Sequence, residues 1–196
     1  MFRRLYERQA KLVARYACPE WIEAIGQLDA GREIPRFADI NRSLSKATGW
    51  TIVAVPGLIP DAPFFTHLAE KRFPVTVWLR KPEEFDYIVE PDVFHDFFGH
   101  VPLLYDPVYA DHLCEYGKGG LKAMRLDAIA MLARLYWYTI EFGLMRTSAV
   151  RARGCSPRAA SSPTAWTIPG RGAGRSSSSA SSGPTTASTA TRTATS

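Results

Sequence analysis

The sequence predicts a mainly α fold with a small β component, and three observations carry that reading. Apolar residues recur at helical spacing over most of residues 1–145. Two short stretches, "TIVAV" and "PVTVWLR", are instead rich in β-branched residues and bounded by Pro or Gly. No internal repeat is visible, and 196 residues with 46% hydrophobic and 22% charged side chains suit one ordinary globular domain.

Taken in order, Phe2, Leu5, Tyr6, Leu12, Val13 and Tyr16 define a first amphipathic helix ending near Tyr16. "CPEWIEAIGQL" starts a second, with Pro19 suited to its first turn. "REIPRFADINRSLSKATGW" reads as a loop followed by a helix, and "TIVAVPGLIP" as a strand entering a loop. "APFFTHLAEKRF" is helical in pattern, and "PVTVWLR", with Val75, Val77 and Leu79 alternating, is a strand. "EFDYIVEPDV" is extended because Pro91 biases Glu90 away from helix. A helix follows near Pro91 and is expected to end around Gly99, since Pro102 pushes Val101 out of helical conformation. "VYADHLCEYG" is a helix ending at Gly117, and "LKAMRLDAIAMLARLYWYTIEFGL" is a long one, apolar nearly all round from Leu126 to Leu144 and so expected to be buried.

The net charge of +5 is unevenly placed. Residues 1–145 carry 17 Lys and Arg against 19 Asp and Glu, and the rest carries seven Arg and no acid. The domain therefore has no basic stripe for a phosphate backbone, and no nucleic-acid partner is expected. No apolar run approaches the ~20 residues of a membrane span, and no secretory pattern opens the chain, so no membrane partner is expected and the cytoplasm is the expected compartment. Cys18, Cys114 and Cys155 are far apart and unpaired in pattern, and read as reduced thiols.

Composition breaks after "EFGLMR". From Gly170 to Ser196 only Gly, Arg, Ala, Ser, Pro and Thr occur, which offers nothing to offset ordering entropy. All six residue types have codons with G or C at the second base, as in a GC-rich gene read out of frame from about Thr147. A natural flexible extension is the alternative. The expected organisation is a domain over 1–146 and a disordered tail over 147–196.

The chemistry gathers in "PDVFHDFFGH". His95 and His100 are five apart, a poor spacing for one face of an α-helix. A helix ending between them could aim both rings at one point, with Asp96 adding a carboxylate at the edge. A hydrogen-bonded pair of core histidines is the competing reading. Glu141 changes the balance: it is the one acid in an apolar segment, and a buried carboxylate is costly unless paired or bound to a metal. Arg134, two turns away or roughly 10 Å along the axis, is a poor ion-pair partner. Two histidines and a carboxylate form the facial-triad ligand set of ferrous iron, although zinc could use the same groups. The flanking Phe94, Phe97, Phe98, Tyr136, Trp137 and Tyr138 favour a flat aromatic ligand, and hence the oxygenase.

"EPDVFHDFFGHVPLL" with "RLYWYTIEFGL", and with "LYERQ", "ATGW", "VPGLIPDAPFF" and "RFPVTVWLR", closely resembles the pterin-dependent aromatic amino acid hydroxylases, bacterial phenylalanine-type members above all. The resemblance covers residues 1 to about 146. It implies the hydroxylase catalytic-domain fold, with Fe(2+) held by His95, His100 and Glu141. Tetrahydrobiopterin or a related tetrahydropterin would lie against Gly57, Leu58 and Phe64, with Asp96 and Tyr136 nearby. Arg80 would hold the carboxylate of L-phenylalanine, supported by Asp92, and Trp137 would line the ring pocket. With O2 the implied product is L-tyrosine. Two departures stand out. Ile88-Val89 replaces the Thr-Pro of animal members, and the family's continuation after "EFGL" is not recognisable, so the C-terminal part of the fold is missing, activity is in question and apolar surface should be exposed. A tryptophan or tyrosine hydroxylase, a non-catalytic metal-binding remnant and an interaction module are the alternatives.

Overall fold

The structure is a computed structural model and describes residues 1–28, 33–145 and 153–154. Ten regular elements follow one another: α1 (Phe2–Tyr16), α2 (Pro19–Gln27), α3 (Phe37–Thr48), β1 (Thr51–Val55), α4 (Asp61–Ala69), β2 (Arg72–Thr76), α5 (Pro107–Arg125), α6 (Ile129–Tyr136), β3 (Leu144–Met145) and β4 (Arg153–Gly154). Wide π-helical turns occupy His95–His100 and Trp137–Glu141, and tighter 3-10 turns occupy Pro82–Glu84 and Val101–Tyr105. Apart from Arg153–Gly154, the expected tail lies outside the described residues.

Local chemistry explains most boundaries. Pro19 sits in the first turn of α2, and Gly49 closes α3 in the left-handed region at φ 78°, where a side chain would be strained. Asp106 caps α5 by accepting a hydrogen bond from the Tyr109 amide at 2.7 Å, with Pro107 just inside the helix. β1 and β2 pair in parallel, Thr51 with Arg72 through Val55 with Thr76, and α4 makes the crossover. β3 and β4 form a short antiparallel ladder.

One core runs through these elements. Phe2, Leu5 and Val13 of α1, Trp21 of α2, Ile40 and Leu44 of α3, and Phe65 and Leu68 of α4 are all buried in it. Phe94 and Phe98 stack with centroids 4.8 Å apart, Phe2 meets Phe94 edge-on at 5.3 Å, and Trp21 meets Phe98 at 4.9 Å. Each such ring contributes about 1.5–3 kcal/mol of burial, so this side of the 93–100 segment is its anchor and the other side is free to serve the site.

Several expectations are corrected. Helical winding does not stop at Gly99 but widens into the π turn and tightens into Val101–Tyr105. Pro102 is accommodated in the first turn of that 3-10 segment, where a missing N–H loses nothing. α5 does not end at Gly117 and continues to Arg125. A Cβ on Gly117 would lie 2.3 Å from the Ala69 amide nitrogen, and one on Gly120 would enter the Phe65 ring, so these glycines admit α4 against α5. The break comes instead at Asp127, in left-handed conformation at φ 53°. β2 ends at Thr76, one residue short of Val77, which is 59% exposed. Among the described residues, α6 has no buried side chain, and Leu126, Met131, Leu135 and Tyr138 are exposed. The segment expected to be buried therefore presents the apolar surface that the missing continuation implied. Of the three cysteines, Cys114 is free and buried, as its sequence context suggested, and Cys155 lies outside the described residues.

Candidate metal centre and its two cavities

An α-helix turns about 500° over five residues, which leaves residue i+5 far off the face of residue i. A π-helix joins i to i+5 by its hydrogen bond, so the same two residues lie one turn apart on one face. The turn His95–His100 has this geometry, and its two imidazole centroids are 5.2 Å apart. Trp21 of α2 donates its indole N–H to the Gly99 carbonyl at 3.4 Å, giving a group in the widened turn a side-chain partner. The second π turn, Trp137–Glu141, closes with the Phe142 amide on the Trp137 carbonyl at 3.1 Å and carries Glu141 into the same place.

There the three groups converge. His95 Nε2 lies 3.6 Å from Glu141 Oε2 and His100 Nε2 lies 3.3 Å from Glu141 Oε1. One donor atom from each of His95, His100 and Glu141 lies within 4.8 Å of the other two, and all three residues are buried. Imidazole nitrogens and carboxylate oxygens bind divalent first-row cations at about 2.0–2.2 Å, which places neighbouring donors about 3 Å apart. The set fits a metal ion with little adjustment. Arg134, the competing partner of Glu141, is exposed.

The surroundings tune these donors. Asp96 Oδ1 lies 3.0 Å from His95 Nδ1, and Asp96 Oδ2 accepts hydrogen bonds from the Thr76 amide at 2.8 Å and hydroxyl at 2.9 Å. A carboxylate behind Nδ1 keeps that nitrogen protonated and turns Nε2 toward the metal position. Burial works against charge on His95, yet Asp96 and Glu141 outweigh it and push its pKa up to about 9. Burial also raises the Glu141 carboxyl, but His100 and His95 overcome this and hold it far below the usual carboxylate range. His100 Nδ1 is buried without a hydrogen-bond partner among the described residues.

Two cavities meet at this point. The first, about 320 Å³, is lined by Gly57, Leu58, Phe64, Asp96 and Tyr136 together with all three donors. Phe64 stands edge-on to Tyr136 at 5.6 Å. The second, about 330 Å³, is lined by Arg80, by the loop from Tyr87 to Pro91, and by Trp137, His95 and Glu141. Both lie in the size range of small-molecule sites. Arg80 is 4% exposed, and its Nε and Nη2 meet the two oxygens of Asp92 at 2.8 and 2.9 Å. Asp92 also accepts from the Arg80 amide at 3.0 Å and the His95 amide at 2.9 Å, so one carboxylate sets both Arg80 and the start of the histidine-bearing helix. Burial would raise the Asp92 carboxyl, but Arg80 and the two amides hold it below its ordinary value. Asp92 itself stands behind Arg80 rather than in the cavity wall.

Phe94, Phe97 and Phe98 face the core and not the cavities, so the aromatic walls are Phe64, Phe65, Phe73, Tyr87, Tyr136 and Trp137. Thr76, which orients Asp96, went unnoticed in the sequence. Its one signal is a polar residue amid the valines of "PVTVWLR".

Known proteins agree with this arrangement. Residues 1–168 match the family of biopterin-dependent aromatic amino acid hydroxylases. A phenylalanine-4-hydroxylase of Chromobacterium violaceum is 60% identical over 146 residues, covering 74% of this chain and 49% of the relative. One from Ralstonia nicotianae is 57% identical over 149 residues, covering 76% and 48%. A C. violaceum phenylalanine hydroxylase structure with bound iron(III) and 7,8-dihydrobiopterin superimposes with a TM-score of 0.79 at 56% identity, covering 84% of this chain and 60% of that one. Another, with iron and phenylalanine bound, gives 0.77 at 55% identity over 84% and 59%. This chain thus spans about half the length of the curated relatives it matches. A shared sequence, a shared fold and a histidine-histidine-glutamate cluster between two cavities agree: the chain belongs to the biopterin-dependent aromatic amino acid hydroxylases.

Proposed function

We propose that this chain is a cytoplasmic iron- and tetrahydropterin-dependent monooxygenase domain, residues 1–146, that converts L-phenylalanine to L-tyrosine with O2, followed by an out-of-frame tail over 147–196. The observation that carries the reading is the convergence of His95, His100 and Glu141 where the two cavities meet. His95, His100 and Glu141 hold Fe(2+). Gly57, Leu58 and Phe64 hold the pterin in the first cavity beside Tyr136, while Asp96 orients His95. Arg80, fixed by Asp92, receives the amino acid's carboxylate in the second cavity, and Trp137 borders its ring.

When bound, ferrous iron and the tetrahydropterin supply the electrons that activate dioxygen. The chain's own residues supply register. Two cavities sharing His95, Glu141 and Trp137 as a common wall bring both organic ligands within reach of one metal position, the proximity on which such a reaction depends. Burial of the donors excludes competing water, although Leu58, 70% exposed, and Trp137, 48% exposed, leave the mouth open. That openness favours a second reading, a metal- and pterin-binding remnant without turnover.

The deciding assay is tyrosine formation from L-phenylalanine by the full chain loaded with ferrous iron, with tetrahydropterin and O2. Turnover lost in Glu141→Ala supports the monooxygenase. Iron binding lost in Glu141→Ala without turnover in the wild type supports the remnant, and iron binding indifferent to that substitution ends both. Sequencing the gene downstream of Met145 in all three frames tests the tail.

A further inference from the structure

The outer wall of the second cavity has little of its own to hold it. Tyr87, Ile88, Val89, Glu90 and Pro91 line that cavity, yet Tyr87 is 64% exposed and Val89 81% exposed. Among the described residues, residues 86–91 make no main-chain hydrogen bond. At its C-terminal end the loop is tied by the Asp92–Arg80 pair. At its N-terminal end the tie comes from α1, otherwise remote from the chemistry. Arg8 Nη1 donates to Asp86 Oδ1 at 2.6 Å, Nη2 donates to the Phe85 carbonyl at 2.7 Å, and the guanidinium lies 4.0 Å over the centre of the Phe85 ring. Arg4 approaches the same ring at 5.0 Å.

We propose that Arg8 is a positioning residue for the second cavity: its guanidinium fixes the 85–91 loop that walls the amino acid's site. The proposal rests on the proposed reading of that cavity. A planar fork meets a carboxylate, a carbonyl and an aromatic face at once, three contacts that an ammonium group cannot make together. With the fork in place the loop is held at both ends, and the cavity keeps one shape before its ligand arrives. Without it, the ligand must order the loop on binding and loses affinity by that amount.

The test compares Arg8→Ala, Arg8→Lys and Asp86→Asn with wild type in the full chain loaded with Co(II). Cleavage by chymotrypsin after Phe85 and Tyr87, followed by mass spectrometry, should quicken about tenfold in Arg8→Ala and less in Asp86→Asn, with cleavage at other sites unchanged and Tm lower by only a few degrees. The Kd for L-phenylalanine should rise about tenfold in Arg8→Ala while Co(II) affinity holds. Arg8→Lys should behave like Arg8→Ala. Unchanged cleavage at the loop, cleavage quickened everywhere alike, or full rescue by lysine would overturn the proposal. If the wild type binds no phenylalanine, the functional reading fails on its own, and the cleavage comparison still decides whether Arg8 holds the loop.

Discussion

Metal binding by this chain should depend steeply on pH in a range where an ordinary histidine would have no effect. A divalent cation takes His95 as the neutral imidazole, so every proton held there before binding must leave. Asp96 and Glu141 keep His95 protonated up to about pH 9 in the metal-free chain. Affinity therefore falls as pH drops below 9, approaching tenfold per unit well below that value. Between pH 7.0 and 8.5 the apparent association constant should rise about 25-fold, against about 1.3-fold for a histidine of ordinary pKa. Calorimetry of Co(II) binding in buffers of different ionisation enthalpy counts the proton directly. About one should leave at pH 7.5, against about 0.1 for an unperturbed imidazole. The metal-free chain should also lose stability as pH rises through 9, on the order of 3 kcal/mol from this group, because a raised histidine pKa stabilises the folded state fully only below its unfolded value near 6.5. A flat affinity between pH 7.0 and 8.5 would show that the two carboxylates do not govern His95, and with that the orientation assigned to Asp96 would fail.

Asp92→Ala should destabilise the chain by about 3–5 kcal/mol in urea denaturation, since it strands the buried Arg80 charge and uncaps the His95 amide. Gly117→Ala should be destabilising although alanine ordinarily favours a helix by about 1 kcal/mol, because its Cβ would strike the α4 backbone. Gly119→Ala, whose Cβ would meet only Leu132 at 3.9 Å, should stabilise instead; thermal melts of the pair check the contrast. Tyr138→Glu, at a position 70% exposed, should raise solubility and lower binding of an apolar dye while moving stability by no more than about 0.5 kcal/mol.

The histidine pair, the buried acid and the order of elements could be read from residue types, because amphipathic spacing and the cost of a buried charge are local properties that the sequence displays. What could not be read depends on distant partners. Gly117 looks like a helix terminator in isolation and becomes a packing contact only once Ala69 and Leu68 arrive beside it. Arg80 looks like a solvated charge until Asp92, twelve residues on, closes over it. The segment from Leu126 to Leu144 shows the other limit. Its apolar composition states that the surface calls for a cover, and the exposure of Met131, Leu135 and Tyr138 shows that hydrophobicity does not supply one.

The two π turns explain why a five-residue spacing serves this site. With four residues between them in a widened turn, His95 and His100 share one side, while Phe94 and Phe98 enter the core on the other and Asp96 reaches back to β2. The same step relates Tyr136 to Glu141, and both line the first cavity. A π turn has weaker internal bonding than an α turn, so it persists only where its surroundings hold it. Here the Trp21 indole on the Gly99 carbonyl, the Asp92 cap on the His95 amide and the Thr76–Asp96–His95 chain provide that hold from α2, the preceding loop and β2. The geometry of the metal centre is thus a property of the packed domain and not of the motif, which is why the two histidines suggested a helix end when read alone.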